Sequence, residues 1–103
     1  MEYGLRSTEN FDKWLAGVKD RPARNRILRR LDSMRIGFFG DHKLLSEGLY
    51  ELRLFFGPGY RVYYTIQQKE IILLLTGGDK SSQKRDISQA KRLLDSLEKD
   101  DGD

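Results

Sequence analysis

The chain has no cysteine, one histidine and two prolines among its 103 residues. Without cysteine it can form no disulfide, which fits a reducing compartment such as the cytoplasm. One histidine without any cysteine leaves too few ligands for a transition-metal site and excludes a Cys–His catalytic pair. We therefore expect a domain that works without a metal ion or a small-molecule cofactor.

Long apolar runs are also absent, so the sequence predicts neither a membrane span nor an N-terminal signal segment. None of the GxSxG, Walker A or GxGxxG motifs occurs. The length suits one domain over residues 1–103 and is too short for two. The final residues, 98–103, are acidic and glycine-containing, and we expect them to fray.

Basic residues are concentrated in one segment of the chain. The net charge is +3, yet the segment from Lys19 to Arg35 alone holds seven basic and two acidic residues. Such a segment favours a polyanionic partner, most simply nucleic acid, although a solvated helix face would look the same. The candidate RNA-binding residues are Arg24, Arg29, Arg30, His42 and Lys43. His42 is also a secondary candidate for a general base.

Three apolar stripes with helical spacing predict three helices. The first two should form an antiparallel hairpin near the N-terminus, and the third should close the chain. The stripes are Phe11, Trp14, Leu15 and Val18; Ala23, Ile27, Leu28, Leu31 and Met34; and Ile87, Ala90, Leu93, Leu94 and Leu97.

Between the hairpin and the last helix, the segment from Gly48 to Gly78 predicts a meander of three antiparallel strands. Residues 2–6 can add a short edge strand, and the stretch FFGDHKLLSEG before the meander is expected to be irregular. Ile71 to Leu75 is apolar on both faces, as expected of a central strand. The prediction is an α+β fold in which the helical hairpin packs on a small antiparallel sheet.

Alternation within the meander places Arg53, Arg61 and Tyr63 on one face of the sheet. A three-residue hairpin loop that pairs Phe56 with Tyr60 would set Arg53 opposite Tyr63 and Arg61 diagonal to Arg53. Guanidinium groups bind phosphate bidentately, and tyrosine can stack on a base. The plainer alternative is a pair of solvated strand arginines, paired with acidic neighbours, beside a half-buried tyrosine.

The loop GGDKSSQKRDI leads from the central strand into the last helix. Its two glycines, its serines and the helix N-terminus together resemble an anion-binding place, with Lys80 and Lys84 at its mouth. An ordinary strand-to-helix loop would have the same composition. The loop matters because it leaves the strand beside the arginine strands and can bring its lysines to them.

Three blocks of the sequence carry a resemblance: FDKWL, ARNRILRRLDSMRIGFFGDHKLLSEGLYELRLFFGPGYRVYY and LLLTGGDKSSQKRDISQA. They resemble the RelE/ParE toxin superfamily, and its HigB-like branch in particular. The resemblance extends from Phe11 to about Leu97. It implies a RelE-like fold and a bacterial cytoplasmic toxin of a type II toxin–antitoxin system. RelE-like members cut mRNA in the ribosomal A site without a metal, through attack of the ribose 2′-hydroxyl on the adjacent phosphate. A small antitoxin protein neutralises them.

The resemblance also implies roles for individual residues. Arg61 matches the strand arginine of the family's GYR segment, and Arg53 matches the basic position of the preceding strand. Lys80 and Lys84 carry the basic cluster that follows the central strand. Of these residues, Arg53 and Arg61 would stabilise the charge that builds up on the phosphate.

Two positions depart from the family pattern. Glu51 stands where RelE-like members often have lysine, and it is an alternative general base. Ile87 falls where some members have a catalytic tyrosine, and Tyr63 is a candidate for that orienting role. Two other functions stay open: a ParE-like inhibitor of a DNA topoisomerase (gyrase) without nuclease activity, and a non-catalytic RNA-binding module.

Overall fold

The computed structural model describes residues 2–101, which form a five-stranded sheet with helices on both faces. No helix in this range is both long enough and apolar enough to cross a membrane. The elements are β1 (Gly4–Ser7), α1 (Glu9–Ala16), α2 (Arg21–Arg35), β2 (His42–Ser46), β3 (Leu49–Leu54), β4 (Tyr60–Gln67), β5 (Ile71–Gly78), a 3-10 turn (Lys80–Ser82) and α3 (Gln83–Asp101). Of the tail expected to fray, residues 98–101 continue α3, which corrects that prediction for them, and residues 102–103 lie outside the described part.

The strand order is β1-β5-β4-β3-β2, with β1 parallel to β5 and every other pair antiparallel. The predicted α+β class and the β3-β4-β5 meander are therefore confirmed. The N-terminal edge strand also forms, but its parallel pairing makes the sheet mixed, because the chain crosses over through α1 and α2 before it returns.

Strand β2 corrects the prediction of an irregular segment before the meander. It pairs with β3 at the far edge of the sheet, and a register shift between Leu44 and Ser46 interrupts the pairing. An edge strand that is mostly exposed has no need of alternating apolar residues. Leu44, for example, is 59% exposed. The sequence HKLLS consequently shows no strand periodicity.

Side chains at the helix N-termini fix where α1 and α2 begin. Thr8 Oγ1 accepts a hydrogen bond from the Phe11 N–H at 3.1 Å. Asp20 Oδ1 likewise accepts one from the Ala23 N–H at 3.2 Å. Such caps satisfy backbone donors that a helix cannot satisfy internally, and each contributes about 1 kcal/mol.

Each face of the sheet carries its own apolar core. The hairpin face is covered by α1 and α2, and the α3 face is covered by α3. Buried residues of the hairpin-face core are Phe11, Val18, Ile27, Leu31, Met34, Leu52, Leu54, Val62, Tyr64, Ile72 and Leu74. Those of the α3-face core are Leu49, Tyr63, Leu73, Leu75 and Ala90. The predicted site residues of β3 and β4 therefore lie on the α3 face, opposite the hairpin.

Candidate functional site

Arg53 and Arg61 lie directly opposite each other on β3 and β4. The predicted register, with Arg53 opposite Tyr63, is wrong by two residues because the connecting loop is longer than three residues. Phe56 leaves the strand: its ring lies 5.7 Å from that of Tyr60, and the Arg26 guanidinium lies 3.9 Å from its centroid. A shift of two residues keeps every side chain on its predicted face, so both arginines remain on the α3 face.

Each arginine has its own carboxylate partner. Arg53 Nε lies 3.6 Å from Asp41 Oδ2, and both side chains are about one-third exposed. The Arg53 N–H also donates to the Asp41 carbonyl at 2.9 Å, which fixes the acid beside the arginine. Arg61 Nε lies 3.7 Å from Glu51 Oε2, with only 12% and 0% of the two side chains exposed. One ion pair is therefore open to solvent and the other is buried.

The buried pair is tied to the loop and to α3. Arg61 Nη1 donates to the Gly59 carbonyl at 2.8 Å. Gln83 Nε2 donates to Glu51 Oε2 at 2.9 Å, from the first turn of α3. Glu51 is therefore enclosed between Arg61 and Gln83, which corrects its interpretation as an accessible general base in this conformation.

Tyr63 is fully buried beneath α3, with no hydrogen-bond partner for its hydroxyl among the described residues. Burial, together with the negative charges of Glu51 and Asp86, raises the pKa of Tyr63 well above its usual value. The phenol is thus neutral and enclosed. The interpretation of Tyr63 as an exposed ring that stacks on a base is wrong for this conformation, because α3 covers the strand position that it occupies.

Lys80 lies beside Arg61 at the end of β5. Its Cβ is 3.5 Å from the place that a Cβ on Gly59 would take, and Arg61 Nη1 is 3.3 Å from the same place. Lys80 and Lys84 are both exposed, and Lys84 lies four positions after Lys80 in the chain. We call Arg53, Arg61 and Lys80 the basic patch; Lys84 lies farther along the same segment.

Asp79 begins the turn that carries Lys80. Its carboxylate accepts hydrogen bonds from the Ser81 N–H and hydroxyl, and these bonds lower the pKa of Asp79. The acid therefore serves the turn as its N-cap. It places an anion one residue before Lys80, which moderates the positive charge of the patch.

The two glycines at the end of β5 serve packing, which corrects their interpretation as part of an anion-binding loop. A Cβ on Gly77 would lie about 2.2 Å from the Trp14 ring on the hairpin face. On the other face, a Cβ on Gly78 would overlap the Asp86 carboxylate of α3. Gly78 pairs with Arg61 across the sheet, and the buried Asp86 carboxylate lies over Gly78.

The other predicted RNA-binding residues do not join the patch. Arg24, Arg29 and Arg30 belong to α2 on the hairpin face, and Arg30 Nη2 donates to the Phe39 carbonyl at 3.1 Å. His42 pairs with Leu52 and therefore lies on the hairpin side of the sheet. Lys43, one position along, pairs with Glu51 and lies on the α3 face.

Sequence reasoning missed three residues of the site: Asp41, Gln83 and Asp86. Gln83 and Asp86 precede Ala90 by seven and four positions, so helical spacing alone puts them on the sheet side of α3. That signal was available, but polar residues do not register in a search for apolar stripes. Asp41 gave no signal, because its position depends on strand β2.

The arrangement can bind a phosphate group through guanidinium and ammonium groups of the basic patch. Within residues 2–101, no three His, Asp or Glu side chains gather in a way that could hold a metal ion. The patch is thus an open, partly neutralised cationic surface at one end of the sheet.

Comparison with known proteins relates this geometry to a family. The sequence profile described as phage-derived protein Gp49-like (DUF891) matches residues 13–95. An uncharacterised protein of Haemophilus influenzae is 42% identical over 97 residues, which cover 94% of this chain and 98% of the relative.

Solved structures share the fold. The free-state structure of an arginine-to-alanine double mutant of the E. coli toxin RelE has a TM-score of 0.71 at 19% identity, covering 89% of this chain and 98% of that chain. The toxin–antitoxin complex RelBE2 of Mycobacterium tuberculosis has a chain with a TM-score of 0.59 at 21% identity, covering 78% of this chain and 100% of its own. The predicted RelE-like fold is confirmed, whereas the HigB-like branch stays a prediction.

Proposed function

The chain belongs to the family of phage-derived Gp49-like proteins, and from this membership and its RelE-like fold we propose that it is the toxin of a bacterial type II toxin–antitoxin system. Within that class we propose a ribosome-dependent mRNA endonuclease that needs no metal and acts in the cytoplasm. The observation that carries this proposal is the basic patch: two arginines directly opposite each other, with Lys80 beside one of them.

In the proposed reaction, the 2′-oxygen of one nucleotide attacks the adjacent phosphorus and the bond to the 5′-oxygen of the next nucleotide breaks. The products are a 2′,3′-cyclic phosphate and a free 5′-hydroxyl. One proton must leave the 2′-hydroxyl and one must reach the leaving oxygen. The role of Arg53 and Arg61 would be to stabilise the charge that builds up on the nonbridging phosphate oxygens.

The burial of Glu51 directs attention to a different proton acceptor. Asp41 is a carboxylate with 38% of its side chain exposed, and its partner Arg53 belongs to the basic patch. A general base must reach the substrate, and Asp41 meets that condition while Glu51 does not. We therefore assign Asp41 as the candidate acceptor. Lys80, an exposed residue whose Cβ lies near the Arg61 side chain, is the candidate donor to the leaving oxygen.

The proposed partners are the ribosome with its mRNA, and a cognate antitoxin protein. The matched RelBE2 structure is a toxin–antitoxin complex, which supports an antitoxin for this chain as well. An acidic partner would fit over the basic patch or over the exposed arginines of α2. Co-purification with the product of the neighbouring gene, at low and at high salt, tests this expectation.

Binding of RNA without cleavage is a second candidate function. It is favoured by the burial of Tyr63 and Glu51, since both of these proposed reactive groups are closed off from a substrate. The two candidates share the basic patch and differ in whether any bond is broken.

Inducible expression in bacteria, followed by mapping of mRNA 5′ ends, tests the nuclease. Arg53→Ala is the informative variant, because Arg53 is partly exposed and its removal spares the buried Glu51–Arg61 pair. Arg6→Ala, on the exposed face of β1, is the matched control. New 5′ ends with the wild type and with Arg6→Ala, lost with Arg53→Ala, support cleavage by this site.

Growth arrest without new 5′ ends would contradict the nuclease. Arrest with intact mRNA and stalled translation would then favour RNA binding alone. DNA damage with intact mRNA would favour a topoisomerase inhibitor of the ParE type.

A further inference from the structure

We propose that Glu51 and Gln83 are positioning residues that hold the Arg61 guanidinium in a fixed orientation toward the substrate phosphate. The proposal rests on the proposed nuclease function and adds two roles to it. Both residues act on the reaction through Arg61. Glu51 is therefore a positioning residue and not the general base.

Two edges of the Arg61 guanidinium contact neighbouring residues. The Nε edge faces the Glu51 carboxylate at 3.7 Å, and Nη1 donates to the Gly59 carbonyl at 2.8 Å. The ion pair on one edge and the hydrogen bond on the other together favour one orientation of the planar group. The Arg61 side chain is 12% exposed, and within residues 2–101 its Nη2 group makes no hydrogen bond, so we infer that Nη2 is the group that meets the phosphate.

Glu51 is buried and hydrogen-bonded beside Arg61. Its side chain is 0% exposed, and its Oε2 atom accepts from Gln83 at 2.9 Å. A buried carboxylate is costly to maintain unless it is paired and hydrogen-bonded. Arg61 supplies a countercharge and Gln83 supplies a hydrogen bond, so both hold the Glu51 carboxylate in place. A carboxylate held in this way can orient Arg61 but cannot reach a 2′-hydroxyl.

Gln83 connects the Glu51–Arg61 pair to α3. Gln83 opens α3 directly after the turn that carries Lys80. The hydrogen bond from Gln83 to Glu51 therefore connects the strand arginine to the segment that presents the lysine. We infer that the distance between the Arg61 and Lys80 charges is set through Glu51 and Gln83, which matters because a phosphate must meet both cations at once.

Steady-state cleavage of a defined mRNA on programmed ribosomes tests the proposal, with Glu51→Gln and Gln83→Leu as the variants. Gln89→Leu is the matched control: Gln89 also lies on α3 and accepts a hydrogen bond from the Thr76 hydroxyl of the sheet at 3.3 Å, and it makes no hydrogen bond to Glu51 or Arg61 among the described residues. For each of the two test variants we expect kcat to fall about tenfold and KM to change less than threefold. The control should keep wild-type kcat.

A second readout does not depend on activity. In 15N-labelled protein, the Nε–Hε signal of Arg61, assigned with Arg61→Lys, should shift and exchange faster with solvent in Glu51→Gln and in Gln83→Leu. It should stay unchanged in Gln89→Leu. If the wild type cleaves nothing, the nuclease proposal fails, and this signal still decides whether Glu51 and Gln83 fix Arg61.

Two outcomes would overturn the positioning role. Equal loss of kcat in Gln83→Leu and Gln89→Leu, with an unchanged Arg61 signal, would mean that these bonds only stabilise α3. A loss of a hundredfold or more in Glu51→Gln, with wild-type activity in Gln83→Leu, would make Glu51 the proton acceptor instead.

Discussion

Arg53 and Arg61 occupy directly opposed positions on adjacent antiparallel strands, where side chains are closest. Like charges in such a pair destabilise a sheet by several tenths of a kcal/mol or more. The chain offsets this repulsion with a separate carboxylate for each arginine, Asp41 for the exposed one and Glu51 for the buried one. Because these pairs differ in burial, loss of Arg61 should reduce stability more than loss of Arg53.

Arg61→Ala should lower the free energy of unfolding by about 3–5 kcal/mol, because it leaves Glu51 buried without a countercharge. Adding Glu51→Gln should restore part of that loss, since it removes the buried carboxylate that Arg61→Ala leaves unpaired. Arg53→Ala should cost at most about 1 kcal/mol, as expected for an exposed pair. Urea denaturation of the two single variants and the double variant measures all three. Equal losses for Arg61→Ala and Arg53→Ala would contradict the difference in burial.

Tyr63→Phe should retain the toxic activity of the wild type within about threefold. The hydroxyl lies buried, and no described residue is its hydrogen-bond partner, so it cannot contact RNA in this conformation. Its removal should also leave the protein at least as stable, because an unsatisfied buried hydroxyl costs about 1–3 kcal/mol. Growth arrest and thermal unfolding of the variant test both statements. A folded Tyr63→Phe protein without toxicity would show that the phenol becomes exposed and acts on the substrate.

Stability should decrease at high pH because of two buried tyrosines. Burial raises the pKa of Tyr63 and of Tyr64 above the usual value near 10. The folded state therefore keeps both protons at a pH where the unfolded chain releases them. The contribution of each tyrosine is fully present below about pH 10, and it falls by up to about 1.4 kcal/mol per pH unit above that.

Urea denaturation at pH 8 and pH 11 measures this decrease. Tyr63→Phe and Tyr64→Phe should each show a smaller loss of stability between the two pH values than the wild type shows. If both variants lose as much stability between pH 8 and pH 11 as the wild type does, then other groups cause the alkaline decrease.

Much of the fold follows from periodicity in the sequence. The stripes that begin at Phe11 and Ala23 form helices on the hairpin face, and the alternation in β3 and β4 correctly separates the two faces. The register does not follow, because the loop length depends on where Phe56 packs. The ring of Phe56 lies against Tyr60 and Arg26, and a contact of this kind has no local sequence signal.

The candidate site was predictable in its cations but not in its burial. Which face carries Arg53 and Arg61 is a matter of period-two alternation, which an error of two residues leaves unchanged. Whether that face is open depends on where α3 begins and how closely it approaches. Its approach depends on Gly78, where a side chain would overlap Asp86. Tyr63 and Glu51 are buried for that reason, which the strand sequence alone does not contain.

Arg24 and Arg29 provide a test of the predicted RNA contact on the hairpin face. Arg29 is exposed and Arg24 half-buried on α2, on the side of the sheet opposite the basic patch. If both contact RNA phosphates, the double variant Arg24→Glu/Arg29→Glu should bind ribosomes more weakly. The slope of log affinity against log salt should also fall by about 1 for each lost contact. Titration of ribosomes at several salt concentrations measures both quantities.

The matched control for this charge reversal is Arg6→Glu/Arg92→Glu, since Arg6 and Arg92 are exposed residues of β1 and α3 that belong to no proposed contact. It changes the net charge by the same amount, so it should reproduce the general loss of attraction to RNA without the change in slope. An identical slope in the two double variants would mean that Arg24 and Arg29 contribute only to the overall field of the protein. Recognition would then rest on the α3 face alone, and the antitoxin would be the better candidate to cover α2.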